Sequence, residues 1–99
     1  MTTPQSKQHF ANIAKLIREA RQRENFSQYQ VSAVLGYKNA QFISNVERGL
    51  CSVPLDKIAD LCRFLSIAET DIRVALVKDY ASRIDNALSA CTLKSELSL

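Results

Sequence analysis

Residues that turn a backbone sharply are scarce in this sequence. Its 99 residues include two glycines and two prolines, so few positions can adopt a positive φ or interrupt a regular element. Folds built from many short strands need such residues at their turns, and helices are therefore predicted instead. The length is below the usual size for two domains, and we expect a single domain over residues 1–99.

Long apolar runs and paired cysteines are missing as well. No stretch approaches the roughly 18 consecutive apolar residues of a membrane span, and the first residues lack the apolar run of a signal peptide. We therefore expect a cytoplasmic protein that has no membrane partner. Cys51, Cys62 and Cys91 are widely spaced and form no CxxC pair, so the sequence predicts neither a disulfide framework nor a metal site.

Signals of catalysis are equally sparse. His9 is the only histidine, and any Ser/His/Asp or Cys/His arrangement would depend on it. The sequence contains no phosphate-binding glycine loop, no H-E-x-x-H and no D-x-D cluster. Asp56 and Asp60 lie four residues apart, which is typical of a solvated helix face. We expect no enzymatic activity and no cofactor.

Charge is distributed unevenly along the chain. The sequence has 13 Lys and Arg against 10 Asp and Glu, with 46% hydrophobic and 23% charged residues, which is typical of a globular protein. Residues 1–50 carry seven basic and three acidic side chains, whereas residues 51–99 carry six and seven. A polyanionic partner is therefore expected to meet the first half of the chain.

Capping signals and apolar spacing predict five helices. The first is expected to begin at Thr3–Pro4 and to end near Glu24, and the second is delimited by the capping box of Ser27 and Gln30 and by Gly36. The residues Phe26 and Val31 occupy its hydrophobic-staple positions. The apolar stripe of the first helix consists of Phe10, Ile13, Ala14, Leu16, Ile17 and Ala20.

A third short helix is predicted between Asn39, as its N-cap, and Gly49, with Ile43 and Val46 facing the core. Pro54 introduces a fourth helix. The apolar side of that helix is predicted to consist of Leu55, Ile58, Ala59, Leu61, Cys62 and Leu65.

The fifth helix, predicted from about Glu69 to Ala90, has two apolar stripes. The tail TLKSELSL after it is too short to classify and is left as an end that can fray. The first stripe is expected to cover the preceding helices and consists of Ile72, Leu76 and Tyr80. The second follows a heptad rhythm and consists of Val74, Val77, Ala81, Ile84, Leu88 and Cys91.

Two short helices joined by a tight turn are typical of a DNA-binding helix-turn-helix. The segments SQYQVSAVLG and ISNVERG resemble the SQxxLAxxLG and ISxxExG patterns of the Cro/cI/Xre-type regulator family. The resemblance covers about residues 13–67 and implies a five-helix, lambda-repressor-like domain. On this basis we expect a helix-turn-helix core over about 9–67 and a dimerisation helix over about 69–90.

The resemblance also implies roles for individual residues. Gln28 corresponds to the family's phosphate-clamping glutamine, and a helix N-terminus suits an anion. Arg21 and Glu47 match positions that form a structural ion pair. Ser32 replaces the usual alanine, and we expect the change to be tolerated because a helical hydroxyl can bond back to the preceding turn. The segment between Gly36 and Gly49 is one residue longer than the family pattern, so individual base contacts do not transfer.

The polar face of the third helix is the predicted base-reading surface. Amide side chains can make bidentate contacts to adenine, and Gln41 is the strongest candidate. Phe42 is more typical of a core residue than of a contact to a thymine methyl. Besides Gln28, the predicted DNA-binding residues are Lys38, Asn39, Ala40, Gln41, Ser44, Asn45 and Arg48.

Two arrangements of the heptad stripe are open: a second copy covers it, or the helix folds back and buries it within one chain. We favour a homodimer that binds a palindromic operator on double-stranded DNA and represses transcription, including that of its own gene. The first alternative is an antitoxin-like protein that binds a toxin through this helix and autoregulates its operon by binding DNA. The second is a pure interaction module without salt-dependent affinity for DNA. Whether a polymerase subunit is a further partner stays open, and bound protein would be associated with the nucleoid.

Overall fold

The chain folds entirely into helices over the described residues. The structure, a computed structural model, describes residues 9–97, with side chains as far as residue 89, and contains no strand in that range. This confirms the predicted all-α class and the number of helices. The helices are α1 (Ala11–Arg23), α2 (Gln28–Val34), α3 (Gln41–Glu47), α4 (Leu55–Leu65) and α5 (Glu69–Leu97). None of those described is both long and apolar enough to cross a membrane.

The hydrophobic core gathers one face of each helix. Residues from α1, α2 and α3 meet side chains from α4 and the start of α5, and this shared burial fixes the position of the two short helices. The predicted inward positions of α1 and α3 are confirmed. The core consists of Ile13, Ile17, Ala20, Val31, Leu35, Ile43, Val46, Val53, Leu61, Leu65, Ile67, Ile72 and Ala75.

The start of α1 differs from the prediction. The helix begins at Ala11, directly after Phe10, whereas the predicted entry at Thr3–Pro4 lies outside the described residues. Phe10 offers no side-chain cap. Two first-turn backbone N–H groups are satisfied instead by Asp79 on α5, which accepts hydrogen bonds from the backbone nitrogens of Asn12 and Ile13, each at 2.9 Å.

The predicted boundaries of α2 are confirmed. The Ser27 hydroxyl accepts from the Gln30 backbone nitrogen at 3.0 Å, and the Gln30 side chain accepts from the Ser27 backbone nitrogen at 2.8 Å. After the helix, Gly36 has φ of +93°, a conformation that a side chain would strain. Phe26 stacks on Phe64 of α4 with ring centroids 4.2 Å apart. This contact holds the segment before α2 against α4.

Helix α4 buries a narrower face than the pattern predicted. Leu61 and Leu65 are fully buried, whereas Leu55 is 83% exposed and Ala59 is also exposed. The helix packs against α2 through the face centred on Leu61 and Leu65. Leu55 and Ala59 lie outside this face around the helix axis. The prediction that those two residues face the core was wrong.

Helix α5 is longer than predicted and packs through a different set of residues. It continues to Leu97, so the predicted end near Ala90 was wrong. The face against α1 contains Ile72, Ala75 and Asp79, whereas Tyr80 is 64% exposed. Steps of four residues drift around a helix of 3.6 residues per turn, so a stripe ending at Tyr80 leaves the buried face.

Candidate nucleic-acid interface

The start of α3 is held by two side chains that come before it. The Asn39 side-chain oxygen accepts from the Gln41 backbone nitrogen at 2.9 Å. The structure places Ala40, not Asn39, at the N-cap, so the predicted cap is displaced by one residue while its side chain still satisfies an N–H of the first turn.

Ser32 supplies the second of these contacts. Its fully buried hydroxyl oxygen accepts from the Ile43 backbone nitrogen at 3.2 Å. The sequence suggested only a bond back within α2, whereas the structure shows the oxygen accepting the first-turn N–H of Ile43 across the motif. The contact joins the two motif helices directly and sets where α3 begins.

The C-terminal end of α3 is anchored by Glu47, whose side chain is only 4% exposed. Its carboxylate accepts from Arg21 Nε at 2.6 Å and from a terminal Arg21 nitrogen at 3.0 Å. This is the fork geometry that makes Arg–carboxylate pairs directional. The hydrogen bond to Glu47 is the main reason that the pKa of the Arg21 guanidinium is raised above its ordinary value.

Three further contacts connect this ion pair with the surrounding chain. The Gln28 side-chain nitrogen donates to the Glu47 carboxylate at 3.0 Å, and Arg21 donates to the backbone oxygen of Phe26 at 2.9 Å. Arg18 donates to the Glu47 backbone oxygen at 3.2 Å. The structure therefore brings the predicted Gln28, Arg21 and Glu47 together at one point, where α1, α2 and α3 meet.

The outward face of α3 carries a connected set of polar side chains. Gln41 donates to the Asn45 side-chain oxygen at 2.9 Å, and Arg48 donates to the same oxygen at 2.6 Å. Gln41 and Arg48 are exposed, while Ser44 and Asn45 are half-buried. Lys38 and Asn39 are exposed beside the N-terminal end of the helix, and Ala40 is half-buried. The face contains no carboxylate that would repel phosphate.

An aromatic pair flanks this face. Phe42 is half-buried and stacks on Tyr37 with ring centroids 4.2 Å apart and planes 12° from parallel. The Lys57 ammonium lies 5.3 Å from the Tyr37 ring centroid, within cation–π range. Phe42 therefore contributes to the packing of the turn. The roles of Tyr37 and Lys57 were not predicted, since stacking depends on the path of the turn.

The remaining candidate residues are Cys51, Cys62 and His9. No group of His, Cys, Asp and Glu in the described part of the chain could hold a metal ion. Cys51 and Cys62 are free and half-buried, and burial raises the pKa of both thiols. His9 is exposed.

The second apolar stripe of α5 is exposed along its described length. Val74, Val77, Ile84 and Leu88 are 50%, 61%, 41% and 57% exposed, and Ala81 is also exposed. Cys91, the last residue of the predicted stripe, lies beyond the residues whose side chains the structure describes. Within this chain, nothing covers the described part of the stripe.

The buried anchor behind α3 and the polar face in front of it define a helix-turn-helix DNA-binding domain. The sequence profile described as "Helix-turn-helix" matches residues 17–72. The chain belongs to this family, of the Cro/cI type, and is a DNA-binding transcriptional regulator. No match to a curated protein or to a solved structure was found.

Proposed function

We propose that the protein is a homodimeric repressor whose α3 reads an inverted-repeat operator in the major groove. The observation that carries the proposal is the hydrogen-bonded set of Gln41, Asn45 and Arg48 on the exposed face of α3. Amide and guanidinium groups are the side chains that make bidentate contacts to adenine and guanine. Their mutual contacts restrain the side chains before DNA arrives, which lowers the entropy lost on binding.

Backbone contacts to DNA would come from the two ends of the motif. Gln28 is the first residue of α2, where the helix dipole favours an anion. Its side-chain nitrogen carries two hydrogens, and the bond to Glu47 uses one of them. We assign Gln28 and Lys38 to phosphate contacts, and Asn39, Ala40 and Ser44 to the surface that approaches the groove. Phe42 stays a candidate for contact with a thymine methyl.

Dimerisation would occur through α5. An apolar stripe this long is unusual on the surface of a monomer, and a second copy buries it by symmetry. Two related recognition helices then meet two half-sites about 34 Å apart on one side of the duplex. Repression follows where the operator overlaps a promoter, because the bound dimer excludes polymerase, and autoregulation follows where that promoter is the protein's own.

The test is selection of bound sequences from random duplex DNA, followed by titrations of the enriched site at several salt concentrations. The proposal predicts an inverted repeat and an affinity that falls steeply as salt rises. Enrichment of a single half-site would contradict the dimer. Equal, weak binding to every duplex would contradict operator recognition and favour the pure interaction module. The antitoxin-like alternative also binds DNA, and a stable complex with the co-expressed neighbouring gene product would favour it over the homodimer alone.

A further inference from the structure

Helix α5 has two faces with opposite roles. Ile72, Ala75 and Asp79 are buried against the rest of the chain, and Asp79 binds the start of α1. The residues exposed on the other side form what we call the α5 stripe: Val74, Val77, Ala81, Ile84 and Leu88. Every described side chain from position 80 to 89 is exposed, and Arg83 lies over the Phe10 ring, 5.0 Å from its centroid.

An apolar groove of about 740 Å³ continues this stripe. Val77, Ala81 and Ile84 belong to both surfaces. The opposite wall of the groove includes Phe10 and the exposed Leu55. The stripe and the groove therefore form one continuous apolar surface.

The charges beside the stripe indicate what covers it. Lys78 and Asp85 each follow a stripe residue by one position and lie seven residues apart, so they border the same edge of the stripe. Both are exposed. When two copies of such a helix run antiparallel, this edge of one helix meets the same edge of the other. The register then decides whether Lys78 faces the partner's Lys78 or the partner's Asp85.

Among the antiparallel registers that bury the α5 stripe from Val77 to Leu88, one pairs opposite charges along this edge. Where Ala81 packs opposite the partner's Ile84 and Val77 opposite the partner's Leu88, Lys78 lies beside the partner's Asp85. Because a two-fold axis relates the two copies, this ion pair forms twice. A shift by one heptad in either direction places Lys78 beside its own equivalent or Asp85 beside its own equivalent, and like charges repel.

A parallel pair is disfavoured by the other edge of the stripe. Arg73 precedes Val74 and borders that edge. In a parallel coiled coil this position faces the residue five places further along the partner, which is the partner's Lys78. The parallel arrangement thus places Arg73, which also pairs with Glu69 of its own chain, beside the partner's Lys78. It forms none of the Lys78–Asp85 pairs that the antiparallel register provides.

We infer that α5 of a second copy covers the stripe in the antiparallel direction, with the two-fold axis level with Ser82 and Arg83. This inference rests on the proposed homodimer and specifies its interface. The small Ala81 faces the larger Ile84 in the central layers, which suits close packing. The partner helix then runs along the edge that the stripe shares with the groove.

The experiment compares Lys78→Glu, Asp85→Lys and their double variant by analytical ultracentrifugation at low salt, without DNA. Each single variant replaces two attractive pairs by two repulsive ones, and we expect its dimer dissociation constant to rise about tenfold. The double variant restores the pairs in reversed polarity and is expected to dimerise like the wild type. Lys15→Glu, an equal charge change at an exposed residue of α1, is the matched control and should change little.

Mixing the two single variants provides an independent measurement. A chain with Lys78→Glu and a chain with Asp85→Lys form two attractive pairs with each other, so the mixture should dimerise more tightly than either variant alone. In a parallel dimer, Lys78→Glu would place a carboxylate beside Arg73 and strengthen association. Unchanged or tighter dimerisation of Lys78→Glu would overturn the antiparallel register and leave the homodimer standing, whereas a monomeric wild type would overturn the homodimer itself.

Discussion

The carboxylate of Asp79 on α5 accepts the backbone N–H of Ile13 on α1, with the two atoms 2.9 Å apart. Its other oxygen accepts from the backbone and side-chain nitrogens of Asn12, each at 2.9 Å. A residue 66 positions away in sequence thus caps the first helix, and the negative charge lies where the helix dipole favours it. The contact fixes α5 to the helix-turn-helix core.

Replacing this carboxylate should destabilise the fold. Asp79→Ala leaves the N–H groups of Asn12 and Ile13 without their acceptor, and we expect the free energy of unfolding in urea to fall by about 2 kcal/mol. Asp60→Ala is the control, because Asp60 forms an exposed ion pair with Arg63 inside α4, and such pairs contribute less than about 1 kcal/mol. Equal effects of the two substitutions would contradict the capping role.

The ion pair behind α3 should be strongly coupled. Glu47→Ala leaves the Arg21 guanidinium and the Gln28 amide without their acceptor, so we expect a loss of roughly 3 kcal/mol of stability. Arg21→Lys keeps the charge but loses the fork geometry and should cost less. A double-mutant cycle with alanine at both positions is expected to give a coupling energy of about 2 kcal/mol. A coupling near zero would show that the two side chains act independently.

The hydroxyl of Ser32 should matter although alanine is the usual residue of the family at this position. Ser32→Ala removes the acceptor of a buried backbone N–H, and the expected cost is about 1 to 2 kcal/mol in urea unfolding. Ser82→Ala, at an exposed position of α5, is the matched control. Should the two variants unfold at the same urea concentration, the Ser32–Ile43 bond contributes nothing measurable.

The two described cysteines should react slowly with thiol reagents. Burial raises the pKa of Cys51 and Cys62, and the thiolate is the reactive form. In a Cys91→Ser variant at pH 8, both remaining thiols are expected to react with a disulfide reagent more slowly than in urea-unfolded protein. Raising the pH should speed the folded reaction, because more of each thiol ionises. Rates as fast as those of the unfolded chain would contradict this account.

Local signals in the sequence were sufficient to predict the helix boundaries around the motif. The capping box of Ser27 and Gln30 and the turn at Gly36 depend on neighbouring residues alone. By contrast, the continuation of α5 to Leu97 was missed, although the tail after Ala90 contains no glycine or proline that would end a helix. A helix-compatible sequence of this kind gives no signal that the helix stops, so the absence of glycine and proline was the better guide to where α5 ends.

Contacts between distant segments could not be predicted from spacing. Asp79 looks like any polar residue of an amphipathic helix until α1 and α5 are placed side by side. Ser32 and Ile43 likewise meet only after the turn has set the crossing of α2 and α3. The family resemblance suggested the Arg21–Glu47 pair, but the additional contact of Gln28 with Glu47 required the structure.

The most direct test of the account is the effect of Gln41→Ala on binding to the selected operator and to scrambled DNA, measured by fluorescence anisotropy at matched salt. If α3 reads bases, the variant should lose about 1 to 3 kcal/mol of affinity for the operator and almost none for scrambled DNA. Gln22→Ala, at an exposed position of α1, should bind both as the wild type does. Equal losses on both DNAs, or no loss on the operator, would contradict recognition through α3.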